Sequence, residues 1–373
     1  MRKGKRVLLA GIALATALTS ACNGFGFNGE KESNVTMKLI VPNGEVFPYI
    51  DSVKAYLQAE VGANVRDYLV RVDNPNQPIR VEWSADGKVA NYKVEYATLP
   101  DYSNAILLEY PKETTDCELF NLYKATKYYV RVTAFAENGE TLAVEEGSFE
   151  TTSLGPRVMK IPDIHNVRDV GGYQTSTGQT TVQGLVYRGG TLMPADVYNS
   201  ELTDEGKAYM SDVMGIKTEI DFRGMKESGG FTESVIPGAT LHYATLSGYD
   251  DAFTGPTGYK ATFQLLADKN NYPIYYHCTG GANRTGTVTF LLNAMLGVSE
   301  WECVQDYEVT SFSLYGERNS QSGTYSSYFK RFRDGLESYG GETLQEKAIK
   351  YLLSIGVTAE EISSIQAIMF GEI

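Results

Sequence analysis

Cysteine is scarce in this chain, four in 373 residues, and the placement of the four excludes a disulfide framework. Cys22 sits near the N-terminus, Cys117 falls in a different segment from the rest, and Cys278 and Cys303 lie in the last third. Positive charge is also short: 33 Lys and Arg against 46 Asp and Glu leave a net charge of −13. A surface of that sign argues against nucleic acid or anionic lipid as the main partner. It does not argue against a phosphate pocket, which is built from local donors. Long apolar runs are missing too. Beyond residue 18 no stretch approaches the ~18 uninterrupted apolar residues of a spanning helix, so no later segment reads as crossing a membrane.

What is present is length and segmentation, enough chain for two or three domains. Arg2, Lys3, Lys5 and Arg6 precede the apolar run 7–18, and Thr19, Ser20 and Ala21 lead to Cys22. That order predicts a secretory signal peptide over residues 1–21. The small residues before Cys22 resemble a bacterial lipoprotein cleavage box. The resemblance implies lipidation of Cys22, a membrane partner through that anchor, and a protein facing the periplasm or the cell exterior. A plain export signal cut nearby is the blander reading. Cleavage before Cys22 removes four basic residues and no acid, taking the charge from −13 to −17. Residues 22–60 read as a tether followed by an unassigned segment. The Gly- and Asn-rich part to about 34 is flexible in composition. Val35–Val41 has strand character and Asp51–Gln58 helix character.

Between 61 and 153 the apolar period becomes two. Ile79–Trp83, Asn91–Tyr96, Tyr128–Ala134 and Gly147–Thr151 alternate apolar and polar side chains, with turn signals between them. The spacing predicts a small β-sandwich. Trp83 on an early strand, and Leu122, Thr126 and Tyr128 before a long one, resemble a fibronectin type III domain. The resemblance implies a core Trp83, a corner Tyr128, and a spacing or docking module whose partner is a protein or glycan. None of its residues implies chemistry.

The chemistry is concentrated in His277-Cys278-Thr279-Gly280-Gly281-Ala282-Asn283-Arg284-Thr285-Gly286. The apolar stretch 272–276 before it has strand length, and 287–296 after it reads as a helix closed by Gly297. A loop between strand and helix lets several backbone N–H groups and the helix's positive end converge on one anion. Such surroundings, with a cation nearby, lower a thiol pKa from ~8.5 to as little as ~3.5–7.5. Cys278 has the helix start, Arg284 and His277 beside it, so a thiolate nucleophile is expected. Arg284 can fork onto two phosphate oxygens. Attack by sulfur would give a cysteinyl-phosphate for water to hydrolyse, with the Thr285 hydroxyl donating to sulfur as the intermediate breaks down.

His-Cys-x5-Arg-Thr-Gly resembles the signature loop of the cysteine-based protein tyrosine phosphatases. Asn166-Val-Arg168-Asp169-Val-Gly171-Gly172-Tyr173, then Tyr187-Arg188-Gly189-Gly190 and Asp221-Phe222-Arg223, are similar to further motifs of a bacterial tyrosine/dual-specificity branch. The resemblance runs from about Pro156 to the C-terminus. It implies an α/β domain over 154–373, a central sheet flanked by helices, hydrolysing a phosphorylated protein or small phosphomonoester without metal or cofactor. His277, Thr279, Gly280, Gly281, Ala282, Asn283 and Gly286 would wrap the phosphate, and Arg223 would line or buttress the pocket. Arg168 and Asp169 are read as structural charge pairs beneath it. Lys-Asp is usual where this chain has Ala282-Asn283, so a suspected acid of relatives is absent. The missing lysine weakens an inositol-polyphosphate reading. Asn-Arg-Thr-Gly also echoes RNA 5′-triphosphatases of the superfamily, on one residue alone.

The leaving oxygen still needs a proton, worth typically ~10²–10⁴-fold. Asp250 and Asp251, in the glycine-bounded loop 247–258, are the expected acids, with Asp221 in reserve. Tolerance of a poor acid favours aryl phosphates, since phenol ionises at ~10. Cys303 is expected as a core residue, Asp306 and Tyr307 in packing, 315–328 as a surface connection or lid, and 342–354 and 359–369 as covering helices. Two alternatives share the loop: an inositol-polyphosphate phosphatase, and a catalytically weakened phosphate-binding module.

Overall fold

Alternating side chains build the first of two units in the structure, a computed structural model that describes residues 35–193, 201–249 and 251–373. The signal peptide, Cys22 and the tether lie outside the described residues. The first unit comprises the described residues up to Val46, Ile79–Leu119 and Thr126–Glu150. Its strands are β1 Thr36–Ile40, β2 Glu45–Val46, β3 Ile79–Asp86, β4 Asn91–Ala97, β5 Ile106–Pro111, β6 Asp116–Leu119, β7 Lys127–Phe135 and β8 Thr141–Thr151. They form a three-stranded sheet, β1-β3-β6, and a five-stranded one, β2-β8-β7-β4-β5. Trp83 is buried, with the Tyr92 and Tyr110 rings 5.6 and 5.7 Å away, as core packing requires. β5 escapes a period-two reading because Ile106 and Leu107 are adjacent and both half-exposed.

The second unit comprises Phe47–Pro78, Phe120–Ala125 and Thr151–Ile373. Its strands are β9 Arg157–Val158, β10 Arg168–Asp169, β11 Val186–Gly189, β12 Thr218–Asp221, β13 Thr240–Tyr243 and β14 Ile274–His277, in the order β13-β12-β14-β11-β10-β9. The four strands β11 to β14 run parallel, and β10 and β9 close the edge antiparallel. Gly189, Asp221 and His277 stand in one register row, so three loops leave the same edge together. In an open α/β sheet that edge is where ligands bind.

The helices are α1 Asp51–Leu57, α2 Asp204–Ala208, α3 Met225–Ser228, α4 Asp251–Thr254, α5 Thr257–Leu266, α6 Arg284–Leu296, α7 Glu300–Val309, α8 Ser326–Glu337, α9 Leu344–Ser354 and α10 Ala359–Met369. Every residue of α6 from Thr285 onward is buried. A helix apolar on all sides belongs in a core, and α6 is the axis on which α7 and α9 pack. Thr358 caps α10 with a reciprocal Glu361 bond, the capping box its sequence announces.

Residues 35–60, which carry no legible role, divide between the units. β1 joins the first sheet, whereas α1 belongs to the second unit. There Tyr49 donates to the Pro156 carbonyl at 2.7 Å, and Tyr56 donates to the buried Glu308 carboxylate. Among the described residues, no helix is long and apolar enough to cross a membrane.

Candidate active site

The loop between β14 and α6 carries Cys278 at its start and Arg284 as the first helical residue. Cys278 is 3 % exposed. Burial alone would push its thiol up. The Arg284 charge, the Thr285 hydroxyl and amide, and the Ala282 amide outweigh burial and hold the thiol below its ordinary value. The other two described cysteines go the opposite way: burial pushes Cys117 up to about 12 and Cys303 well above its usual range.

The loop is held from beneath. Arg188 donates to the Gly281 carbonyl at 2.7 Å, Asn166 to the Gly280 carbonyl at 2.9 Å, and the Thr191 amide to the Thr279 carbonyl at 2.9 Å. Arg188 in turn pairs with Asp306, whose backbone carbonyl takes Arg168 Nη1 at 2.7 Å. Asp169 accepts the Gly171 and Gly184 amides and Arg157. Carbonyls tied downward leave the loop's amides free to face the anion. Gly281 has φ +62°, and a Cβ there would stand 2.2 Å from the Gly189 carbonyl oxygen. No other residue fits.

Several expected site residues have other work. His277 does not face the pocket. It is fully buried, with Nε2 2.9 Å from Glu219 and Nδ1 3.2 Å from the Cys278 carbonyl. Burial alone would lower its pKa, but the Asp221 charge and the Glu219 bond raise it. Asp221, the reserve acid, accepts the Arg223 amide at 2.8 Å and its Nε and Nη2 at 3.0 and 2.8 Å. Against burial, His277 and Arg223 hold its carboxyl low, and Arg223 takes both of its oxygens. Arg223 is consumed in the same pair, 5 % exposed, and buttresses rather than lines the pocket. Asp250 lies outside the described residues. Asp251 opens α4, its side chain also outside them.

Three residues near the loop were not foreseen. Glu227 on α3 takes both arms of Arg284, Nη2 at 2.6 Å and Nη1 at 2.8 Å, and accepts the Thr279 hydroxyl at 3.2 Å. The only sequence signal for it is an acid following the C-terminal end of a strand. Glu219 anchors His277 and takes the Ser234 hydroxyl. Arg318 donates Nε to the Asn283 side-chain oxygen while lying 3.9 Å over the Tyr325 ring. The stretch 315–328 is therefore no simple surface connection, since Tyr315, Arg318 and Asn319 are buried.

A cavity of about 610 Å³ opens beside Asn283 and Arg284, walled by Tyr249, Tyr325 and Tyr328 with Glu227, Ser247 and Thr324. The Tyr249 and Tyr328 rings stack 6.0 Å apart at 21°. Arg284 is the one cationic side chain lining it among the described residues. No group of three His, Cys, Asp or Glu side chains among the described residues could hold a metal ion.

Comparison with known proteins bears on both units. A family model described as the tyrosine phosphatase family matches residues 159–369, more than half of the chain, and a fibronectin type III model matches 63–148. A tyrosine-protein phosphatase of Nostoc commune is 25 % identical over 227 residues, covering 47 % of this chain and 75 % of that protein. Two solved structures also match, a crystal structure of the core catalytic domain of the PP-IP phosphatase SIW14 from S. cerevisiae and a structure of the Siw14 catalytic core. One, in complex with citrate, is 17 % identical, covers 34 % of this chain and 71 % of that one, and has a TM-score of 0.26. The other is 12 % identical, covers 48 % and 94 %, and has a TM-score of 0.28. A likeness that weak bears on neither substrate nor mechanism.

Proposed function

Because the chain belongs to the tyrosine phosphatase family, we propose that it hydrolyses aryl phosphomonoesters, above all phosphotyrosine in proteins, through a cysteinyl-phosphate on Cys278. The arrangement that carries this reading is Cys278 just past the end of β14 and Arg284 at the start of α6, joined by a loop whose Ala282 and Thr285 amides, with the Arg284 charge, hold the thiol below its ordinary value. The thiolate is the attacking form. Loop amides and the Arg284 fork would hold the three phosphoryl oxygens and favour the charge that develops on them. Thr285, fully buried beside the sulfur, would return a hydrogen bond to the thiolate when it leaves.

The tyrosine-walled cavity supports an aryl substrate, since a phenyl ring stacks on such walls. An inositol polyphosphate would need several cations around its phosphates, and Arg284 alone lines this cavity among the described residues. The test is steady-state turnover of phosphotyrosine peptide and p-nitrophenyl phosphate by the full chain and by Cys278→Ser. The variant should lose turnover by on the order of 10⁴-fold or more while still binding phosphopeptide. Activity surviving in Cys278→Ser would remove the mechanism.

The reading extends to place. The basic, apolar and small-residue order ending at Cys22 supports export and a lipid anchor, with the fibronectin-like unit docking a protein or glycan outside the cell. In membrane fractionation of the expressing bacterium, the intact chain should pellet with membranes and Cys22→Ala should not. A soluble intact chain would contradict the anchor.

A further inference from the structure

Glu227 sits where a substrate phosphate would. Its carboxylate occupies both arms of Arg284 and the Thr279 hydroxyl, which are donors an oxyanion in the loop would claim. Its side chain is 48 % exposed and lines the tyrosine-walled cavity. Glycines with positive φ flank α3, Gly224 at +77° and Gly229 at +99°. Among the described residues it is the only carboxylate lining that cavity. Asn283, next to the arginine, cannot give a proton, and its side-chain oxygen is engaged by Arg318.

We infer that Glu227 is a further catalytic residue: displaced from Arg284 by the substrate's phosphate, it protonates the leaving oxygen. This rests on the hydrolase reading above. In the empty site Arg284 holds the carboxyl below its usual range, with Thr279 and the more distant Arg223 acting in the same sense. A dianionic phosphate takes Arg284 away and brings like charge beside the carboxyl, both of which raise its proton affinity. Tyr249, Tyr325 and Tyr328 face it across the cavity and add no cation. Substrate binding thus turns an ion-pair partner into an acid. As Cys278 Sγ bonds to phosphorus, the P–O bond to the aryl group breaks, and the oxygen keeps the electron pair and takes the Glu227 proton. The products are phenol, cysteinyl-phosphate and the Glu227 carboxylate. Water then attacks phosphorus and gives its proton to that carboxylate, the thiolate leaves, and as phosphate departs Glu227 yields to solvent the proton it took up on substrate binding and pairs with Arg284 again.

The experiment compares Glu227→Gln, Glu227→Asp and the parent enzyme on two substrates, phosphotyrosine and p-nitrophenyl phosphate, whose leaving group needs no proton. Glu227→Gln should lose about 10²–10⁴-fold in kcat on phosphotyrosine, much less on p-nitrophenyl phosphate, and lose the alkaline fall of the pH profile. Glu227→Asp should recover part of the loss on phosphotyrosine. An equal loss on both substrates, or a change confined to KM, would overturn the acid role and leave Glu227 as a positioning partner of Arg284. Trapped cysteinyl-phosphate in Glu227→Gln keeps the hydrolase reading separate from this one, whereas its absence in the parent enzyme would overturn both. Unchanged melting of the variants shows that they are folded.

Discussion

Guanidinium–carboxylate contacts flank the same loop on two sides, and their difference explains how the site can be rigid and exchangeable at once. Beneath, Arg188 and Arg168 meet Asp306, with all three side chains 2 % exposed or less. Above, Arg284 meets Glu227 with side chains 14 % and 48 % exposed. The chemistry of the partners is the same, but the solvent is not. In the interior, removing one partner strands an uncompensated charge, so the pair is fixed once folding is complete. At the cavity mouth water reaches the half-exposed Glu227, and a pair open to solvent contributes little, ~0–1 kcal/mol. A charge that must give way to phosphate has to be of the second kind.

The largest test of this contrast is stability. Asp306→Ala should destabilise the protein by about 3–5 kcal/mol, because two buried arginines lose their counter-charge. Glu227→Ala should cost no more than about 1 kcal/mol. Urea unfolding of both variants measures the difference directly. Equal costs would break the comparison, and with it the reason for calling the upper pair displaceable.

A second test sets Cys278 against Cys303, two buried thiols of one unit pushed in opposite directions. Alkylation by iodoacetamide reads the thiolate. Cys278 should react with a pH midpoint below the ~8.5 of a free thiol, and Cys303 only on unfolding. The sign carries over to stability. A depressed folded value makes the Cys278 contribution complete above the unfolded thiol's pKa and erodes it as pH falls through the lowered one. A Cys278 midpoint at or above ~8.5 would mean that burial outweighs Arg284.

Much of this was legible because sequence-local rules decide it. Strand, loop and helix around Cys278 follow from apolar period and the Gly297 stop, and Arg168 and Asp169 read as buried structural charges, although their partners in the fold are Asp306 and Arg157. Alternation found β3, β4, β7 and the end of β8 but not β5, where Ile106 and Leu107 are adjacent and both half-exposed. What stayed hidden depends on contacts far apart in sequence. Glu227 reaches Arg284 across 57 residues, Arg318 reaches Asn283 across 35, and α1 meets α7 from 252 residues away. Asp221 misled for a local reason instead. Its place at a strand's C-terminal end suggested chemistry, while the adjacent Arg223 had already taken its carboxylate.

The smallest expected effect probes whether the lower, buried side of the loop also tunes the sulfur. Glu219 contacts His277, not Cys278, and His277 reaches the cysteine through its carbonyl at 3.2 Å. Replacing Glu219 with Gln keeps the shape and a hydrogen bond but removes a charge that favours the imidazolium. The His277 pKa, raised in the folded protein, should drop. A raised histidine stabilises the fold below its unfolded value of ~6.5, and that stabilisation fades as pH climbs through the folded value. Glu219→Gln should therefore flatten the stability profile on that side. Loss of the imidazolium on the residue next to Cys278 should also move the Cys278 alkylation midpoint upward, by less than about one pH unit. Asp221, Arg223 and Tyr275 face the same ring and are unchanged in the variant, which isolates Glu219. A flattened stability profile with no shift in alkylation would make His277 a structural support alone. A shift in both would extend the tuning of the sulfur to a carboxylate that never touches it.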